Sequence, residues 1–176
     1  CLMGLKRSGG DGQVSGLATK VTRLARTCAD LVVYCDGEYA AGKDAAVSVW
    51  DHGLLYGDGV FEGIRLYTGA FFRFDDHLRR LRDGLTSIGI ADPFTGDDAL
   101  RICSELVRRN ELNDAHIRLV VTRGVGSPGL NPKNCTEPTV LGMAYEMPPA
   151  LGAKPIALIT SGVRRAGPPH GSRRAV

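Results

Sequence analysis

The stretch "DHGLLYGDGVFEGIR", Asp51 to Arg65, decides the fold of this chain. It holds four glycines threaded on short apolar pairs. Glycine weakens a strand unless the backbone turns or something approaches it closely. The stretch therefore reads as the passage from a loop into a strand. Gly53 and Gly57 fall in the loop and Phe61 at the strand start.

Working outward, "LVVYCDG" is β-branched and aromatic and ends in Asp36-Gly37, a strong hairpin signal. "AAVSVWDHG" alternates as a half-buried strand does. "GVFEGIRLYTG" and "FFRF" read as two strands joined at Thr68-Gly69. The period then changes to helical: Leu78, Leu81, Leu85 and Ile88 share one face, with Asp75 or Asp76 as N-cap. "DDALRICSELVRRNEL" predicts a second amphipathic helix facing inward through Leu100, Cys103, Leu106 and Val107. Its acidic start and Arg108 and Arg109 near its end complement the helix dipole. "HIRLVVTRG", "TVLGMAY" and "PIALITSG" predict three further strands. Strands, two helices and strands again make an α+β domain.

The 176 residues suit one domain with part of another. A net charge of +3 with scattered basic residues gives no nucleic-acid face; Arg164, Arg165, Arg173 and Arg174 read as a ragged basic end. No apolar run approaches the ~20 residues a membrane span needs. Five cysteines without paired or metal-like spacing fit reduced thiols, hence a cytoplasmic setting. Residues 1–30 carry weak periodicity and are expected to form a disordered extension. The domain is expected over 31–147, a linker over 148–154, and the first strand and turn of a second domain over 155–176.

Gly124, Gly126 and Gly129 spell G-x-G-x-x-G after a strand, but Pro128 and Pro132 surround the place where a dinucleotide fold starts its helix. A Gly/Pro loop or an active-site wall is the better reading. Arg80 shares its helix with Arg79 and Arg82, so a solvated basic face competes with a phosphate clamp. His77, at the edge of the apolar face, reads as a packed histidine. Arg118, alternating with Ile117 and Leu119, is either a surface residue or the cation of a pocket.

From Tyr34 to Pro132 the chain resembles class IV (fold type IV) pyridoxal-phosphate-dependent aminotransferases, most closely the branched-chain enzymes. The likeness rests on "YCDGEYAAGKDAAVSVWDHGLLYGDGVFEGIRLY", on "FRFDDHLRRL" as an H-x-x-R-L helix, and on "HIRLVVTRGVGSPGLNPKNC". It implies the smaller α+β domain of that fold, an antiparallel sheet with two helices against it. It implies pyridoxal 5'-phosphate as cofactor and amino transfer between leucine, isoleucine or valine and 2-oxoglutarate. It also implies a homodimer, with residues 51–65 lining the substrate pocket. By resemblance Arg80 contacts the cofactor phosphate, Tyr56 and Phe61 enclose the substrate side chain, and Arg118 receives the acidic side chain of glutamate. His116 stands where many branched-chain enzymes carry tyrosine. "GVGSPGLNP" lacks the arginine and histidine of the D-amino-acid members.

Aminodeoxychorismate lyase and D-amino-acid aminotransferase share the fold and are the alternatives; a non-catalytic dimerisation module is the alternative of another kind. The family's Schiff-base lysine is expected at about Val176 or just after it, and none stands there. The resemblance therefore implies a C-terminally truncated enzyme, inactive alone.

Overall fold

Two tight turns set up the sheet. In the computed structural model, which describes residues 28–147 and 157–163, β1 (Val32–Cys35) returns as β2 (Glu38–Ala41) through Asp36 and Gly37 at φ 44° and 99°. A two-residue hairpin demands positive φ at both turn positions, which Asp-Gly tolerates. The same device at Thr68 (φ 48°) and Gly69 (φ 80°) turns β3 (Gly59–Tyr67) into β4 (Ala70–Phe71). With β5 (Ala115–Thr122) and β6 (Thr139–Tyr145) the strands form one antiparallel sheet in the order β2-β1-β6-β5-β3-β4.

Three helices lie wholly within the described residues: α1 (His52–Tyr56), α2 (Phe74–Ile88) and α3 (Asp98–Arg109). The two long ones cover one sheet face. Leu81 and Leu85 of α2, and Ile102, Cys103 and Leu106 of α3, are buried against Ile64, Leu66, Ile117, Leu119, Val121 and Ala144. Each fully buried leucine contributes roughly 1.5–3 kcal/mol. Gly142 allows the closest approach of α3, since a Cβ there would sit 2.8 Å from a Leu106 methyl. The expected α+β architecture with antiparallel sheet is the one observed.

Several local expectations change. Residues 45–50 form no strand; the interior strands are already flanked, and the segment instead crosses the sheet with Ala46 and Val47 beside Val33, Leu141 and Met143. Within 51–57 the loop contains α1, capped by the Asp51 carboxylate on Gly53 N–H (2.7 Å) and closed by Gly57 at φ 69°. Of "FFRF" only Phe71 joins β4, because Arg73 turns left-handed (φ 51°) and starts α2 one residue later. Asp75 and Asp76 thus sit in its first turn, where carboxylates favour the helix dipole, rather than at the cap.

The inward face of α3 is Ala99, Ile102, Cys103 and Leu106; Leu100 is 39% exposed. Among the described part of "PIALITSG", residues 157–163 carry no strand, and Leu158 and Ile159 are 84% and 95% exposed. A strand needs a ladder partner, and none of the described strands pairs with them. The expected extension over 1–30 and linker over 148–154 lie largely or wholly outside the described residues, as do 155–156 and 164–176.

Candidate active site

The register of the sheet builds the site. Alternation sends Val60, Glu62, Ile64 and Leu66 toward the helices and leaves Phe61, Gly63, Arg65 and Tyr67 on the other face. Cross-strand pairing then lays out rows on this open face. Arg65, His116 and Tyr145 make one; Gly63, Arg118, Met143 and Val33 the next; Phe61, Val120, Leu141 and Cys35 the third. Arg118 lies over the Phe61 ring with its guanidinium carbon 3.3 Å from the centroid. A small apolar hollow of about 160 Å³ opens beside Met143, between Val33, Leu141 and Val47.

His116 occupies the space that glycine leaves: a Cβ on Gly63 would lie 2.8 Å from its Cε1. Burial, aided by the charges of Arg65 and Arg118, pushes its pKa below the usual histidine value, so the ring is neutral at pH 7. Tyr145 meets it at 5.6 Å between ring centroids.

Arg80 sits on the other side of the sheet. Its Nε and Nη2 donate to the two Glu62 oxygens, each at 2.6 Å, and His77 Nδ1 lies 2.8 Å from Glu62 Oε2. Glu62 is 3% exposed. Burial alone would raise its pKa, but the bonds from Arg80 and His77 outweigh that and hold it below the ordinary carboxylate range. Arg80 keeps 44% of its side chain exposed at a depression of about 440 Å³ that also borders Arg73 and Arg79. Arg73 and Arg79 are both paired with Asp76, and Asp83 lines the same depression, so the guanidinium of Arg80, fixed on a buried carboxylate, is the group there that fits a phosphate.

Tyr56 stands apart from Phe61, Arg118 and His116. Its hydroxyl accepts from Gly129 N–H (2.8 Å), and its ring packs edge-on against His52 at 4.8 Å. His52 Nε2 lies 3.1 Å from Ser127 O, and Thr122 Oγ1 donates to the buried Asp51 carboxylate (2.9 Å). α1 therefore fastens the glycine loop after β5. No helix starts at Gly129, so that loop lacks the dinucleotide geometry.

The structure thus brings together Phe61, His116 and Arg118, and separates Tyr56 and Arg80 from them. Sequence reasoning missed Glu62, Arg65 and Arg123. Glu62 was findable: a carboxylate between Val60 and Ile64 on an inward face must be paired, and His77 and Arg80 are spaced to do it. Arg123 pairs with Asp58 and donates to Ile88 O (2.7 Å) and Gly89 O (3.1 Å), tying β5 to the end of α2. Nothing local in the sequence announces that link.

Comparison with known proteins agrees with this fold. The family model described as amino-transferase class IV matches residues 59–175. A Methanocaldococcus jannaschii protein provisionally named a branched-chain-amino-acid aminotransferase is 51% identical over 133 residues, 76% of this chain and 46% of that protein. The solved branched-chain amino acid aminotransferase of Escherichia coli superposes with a TM-score of 0.65 at 32% identity, over 69% of this chain and 41% of that one. A second solved branched-chain amino acid aminotransferase, from T.th. and complexed with N-(5'-phosphopyridoxyl)-L-glutamate, gives 0.62 at 30% identity, over 66% and 40%. The chain thus spans less than half the length of each relative. An antiparallel sheet covered by two helices, matched by family and by fold, places the chain in the class IV aminotransferases, which depend on pyridoxal phosphate.

Proposed function

We propose that this chain contributes the acid-receiving half of a branched-chain amino acid aminotransferase site, acting on leucine, isoleucine or valine and on 2-oxoglutarate. The observation that carries the reading is Arg118 stacked on Phe61 beside the apolar row of Val33, Leu141 and Met143. Glutamate and 2-oxoglutarate present a second carboxylate to Arg118, while aliphatic side chains lie against the apolar row. Discrimination among aliphatic chains is shallow, because one methylene is worth only ~1–3 kcal/mol.

Pyridoxal phosphate, when bound, supplies the electron sink for deprotonation at the substrate Cα. Arg80 would hold its phosphate, with Glu62 keeping the guanidinium in place. His116, neutral and beside Arg118 before an acid binds, can donate one ring N–H to a substrate carboxylate. Tyr56, whose hydroxyl holds Gly129, shapes the pocket by fixing the glycine loop. The transfer also needs a lysine amine to join the cofactor and move a proton. Lys43 and Lys133, the lysines among the described residues, stand in the turn after β2 and in the 3-10 turn Pro132–Asn134, not on the open face. The described residues therefore support acid binding rather than turnover by themselves; transfer from leucine to 2-oxoglutarate by this polypeptide would mean that a lysine outside them takes part.

Calorimetry with Arg118→Ala tests the assignment. Glutamate should weaken at least about tenfold and leucine much less, since losing a charge-assisted hydrogen bond costs ~1.5–3 kcal/mol. Equal losses for both remove Arg118 from the role.

A further inference from the structure

The arginines of this domain divide into two groups. Every arginine among the described residues pairs with an Asp or Glu at salt-bridge distance, except Arg65 and Arg118. Those two lie diagonally across β3 and β5 on the open face, and His116 is the residue between them. Among the described residues Arg65 donates to Met147 O (3.1 Å) and lies over the Tyr67 ring, and Arg118 lies over Phe61. Aromatic faces hold a guanidinium without neutralising it. Two half-buried cations without a counter-charge are an incomplete arrangement, and a ligand carboxylate completes it.

His116 makes the row sensitive to protons. The charged groups facing it are Arg65 from β3 and Arg118 from its own strand, with the Tyr145 phenol from β6; no carboxylate among the described residues is bonded to it. With the row empty, a proton on its ring would add a third positive charge beside the other two. With a carboxylate in place, the same proton becomes favourable.

We propose that Arg65, His116 and Arg118 form one carboxylate-capturing row, running diagonally across β3 and β5, in which His116 takes up a proton from solvent as a small dicarboxylate binds. This rests on the acid-receiving role given above to Arg118, extends it to Arg65, and makes His116 the residue that sets the pH dependence of acid capture. The ligand is a dicarboxylate of about five carbons, one end on the row and its methylenes over Phe61 and Met143. Binding consumes one proton, so affinity rises as pH falls, by at most about tenfold per pH unit for a single linked site.

The test uses the 176-residue chain, glutarate as a non-reacting probe, and neutral glutaramide as its control. Histidine ring signals are followed by NMR between pH 5 and 8, with His77, locked on Glu62, as internal reference. Saturating glutarate should raise the His116 titration midpoint by half a unit or more, and the glutarate Kd should tighten severalfold from pH 8 to pH 6. Glutaramide should do neither. His116→Gln should abolish the pH dependence. Arg65→Gln should weaken glutarate about tenfold at both ends of the range, with an unchanged circular dichroism spectrum; Arg118→Gln serves if Arg65→Gln fails to fold. An unmoved midpoint, a pH-independent Kd or no glutarate binding overturns the proposal. Proton-coupled glutarate binding without glutamate-over-leucine selectivity keeps it and retires the aminotransferase reading of Arg118. Selectivity without proton coupling does the reverse.

Discussion

The two faces of the sheet treat charge in opposite ways. Behind the sheet, Glu62 is nearly sealed from solvent and is met by both Arg80 and His77. In front, among the described residues, Arg65 and Arg118 have aromatic rings and a carbonyl for company. A buried charge left unmatched is costly, so the covered face closes its electrostatics within the chain. The open face leaves them unfinished among the described residues, which is why the ligand is placed there. Strand alternation alone produces this division, since Glu62 and Gly63 are neighbours in sequence and point apart.

The largest expected effect attacks the covered face. Leu85→Ala removes a fully buried side chain and should cost ~2–5 kcal/mol in denaturant unfolding. A loss under about 1 kcal/mol would mean that α2 is not held as described.

Next comes Arg123→Ala, which removes bonds to Asp58, Ile88 O and Gly89 O and should cost ~1.5–3 kcal/mol. Chemical denaturation measures it, and amide exchange should quicken at the end of α2.

On the open face the contrast should invert. Arg118→Ala should change unfolding by about 1 kcal/mol or less, the worth of a cation–aromatic contact, while the loss of glutamate binding stays large. A stability loss as large as that of Leu85→Ala would erase the distinction between the faces.

The smallest expected effect is in pH. His116 has a folded pKa below its unfolded value of about 6.5, so the unfolded chain binds more protons. Its contribution is complete above 6.5 and lost as pH falls through the folded value; Glu62, depressed below 4.5, adds a second loss at lower pH. Urea midpoints of the wild type and His116→Gln should diverge between pH 7.5 and 5.5, and superimposable curves would refute the assignment.

What the sequence disclosed follows the range of the interactions involved. Asp36-Gly37 and Thr68-Gly69 were legible because two-residue turns are decided by their own residues. The leucines of α2 were legible because their period is local. Residues 45–50 misled because alternation shows that a strand could form, not where the segment packs; it lies beside Val33, Leu141 and Met143 and leaves the outer edges of β2 and β4 unpaired among the described residues. The helix inside the glycine-rich stretch was hidden because its cap, Asp51, is fixed by Thr122, far along the chain. In the site, Arg118 and Phe61 could be named singly, while their stacking needed the β3–β5 register. The split of Arg80 from Arg118 was invisible, because residues on different elements reveal their side of a sheet only once it is assembled.

The strand order also governs how the chain comes into being. β1 pairs with β2 at once, but its other edge waits for β6, where Val33 must find Met143. On the ribosome, where the N-terminal part emerges first, the β1–β2 hairpin stays half-built until nearly the whole domain has been synthesised. During that interval β1 offers a bare row of amides and carbonyls to any passing strand. Slow elongation between residues 42 and 139 would lengthen that exposure, and so would a pause before β6 has left the ribosome. The yield of folded chain should therefore depend on where translation lingers, even when the protein made is the same.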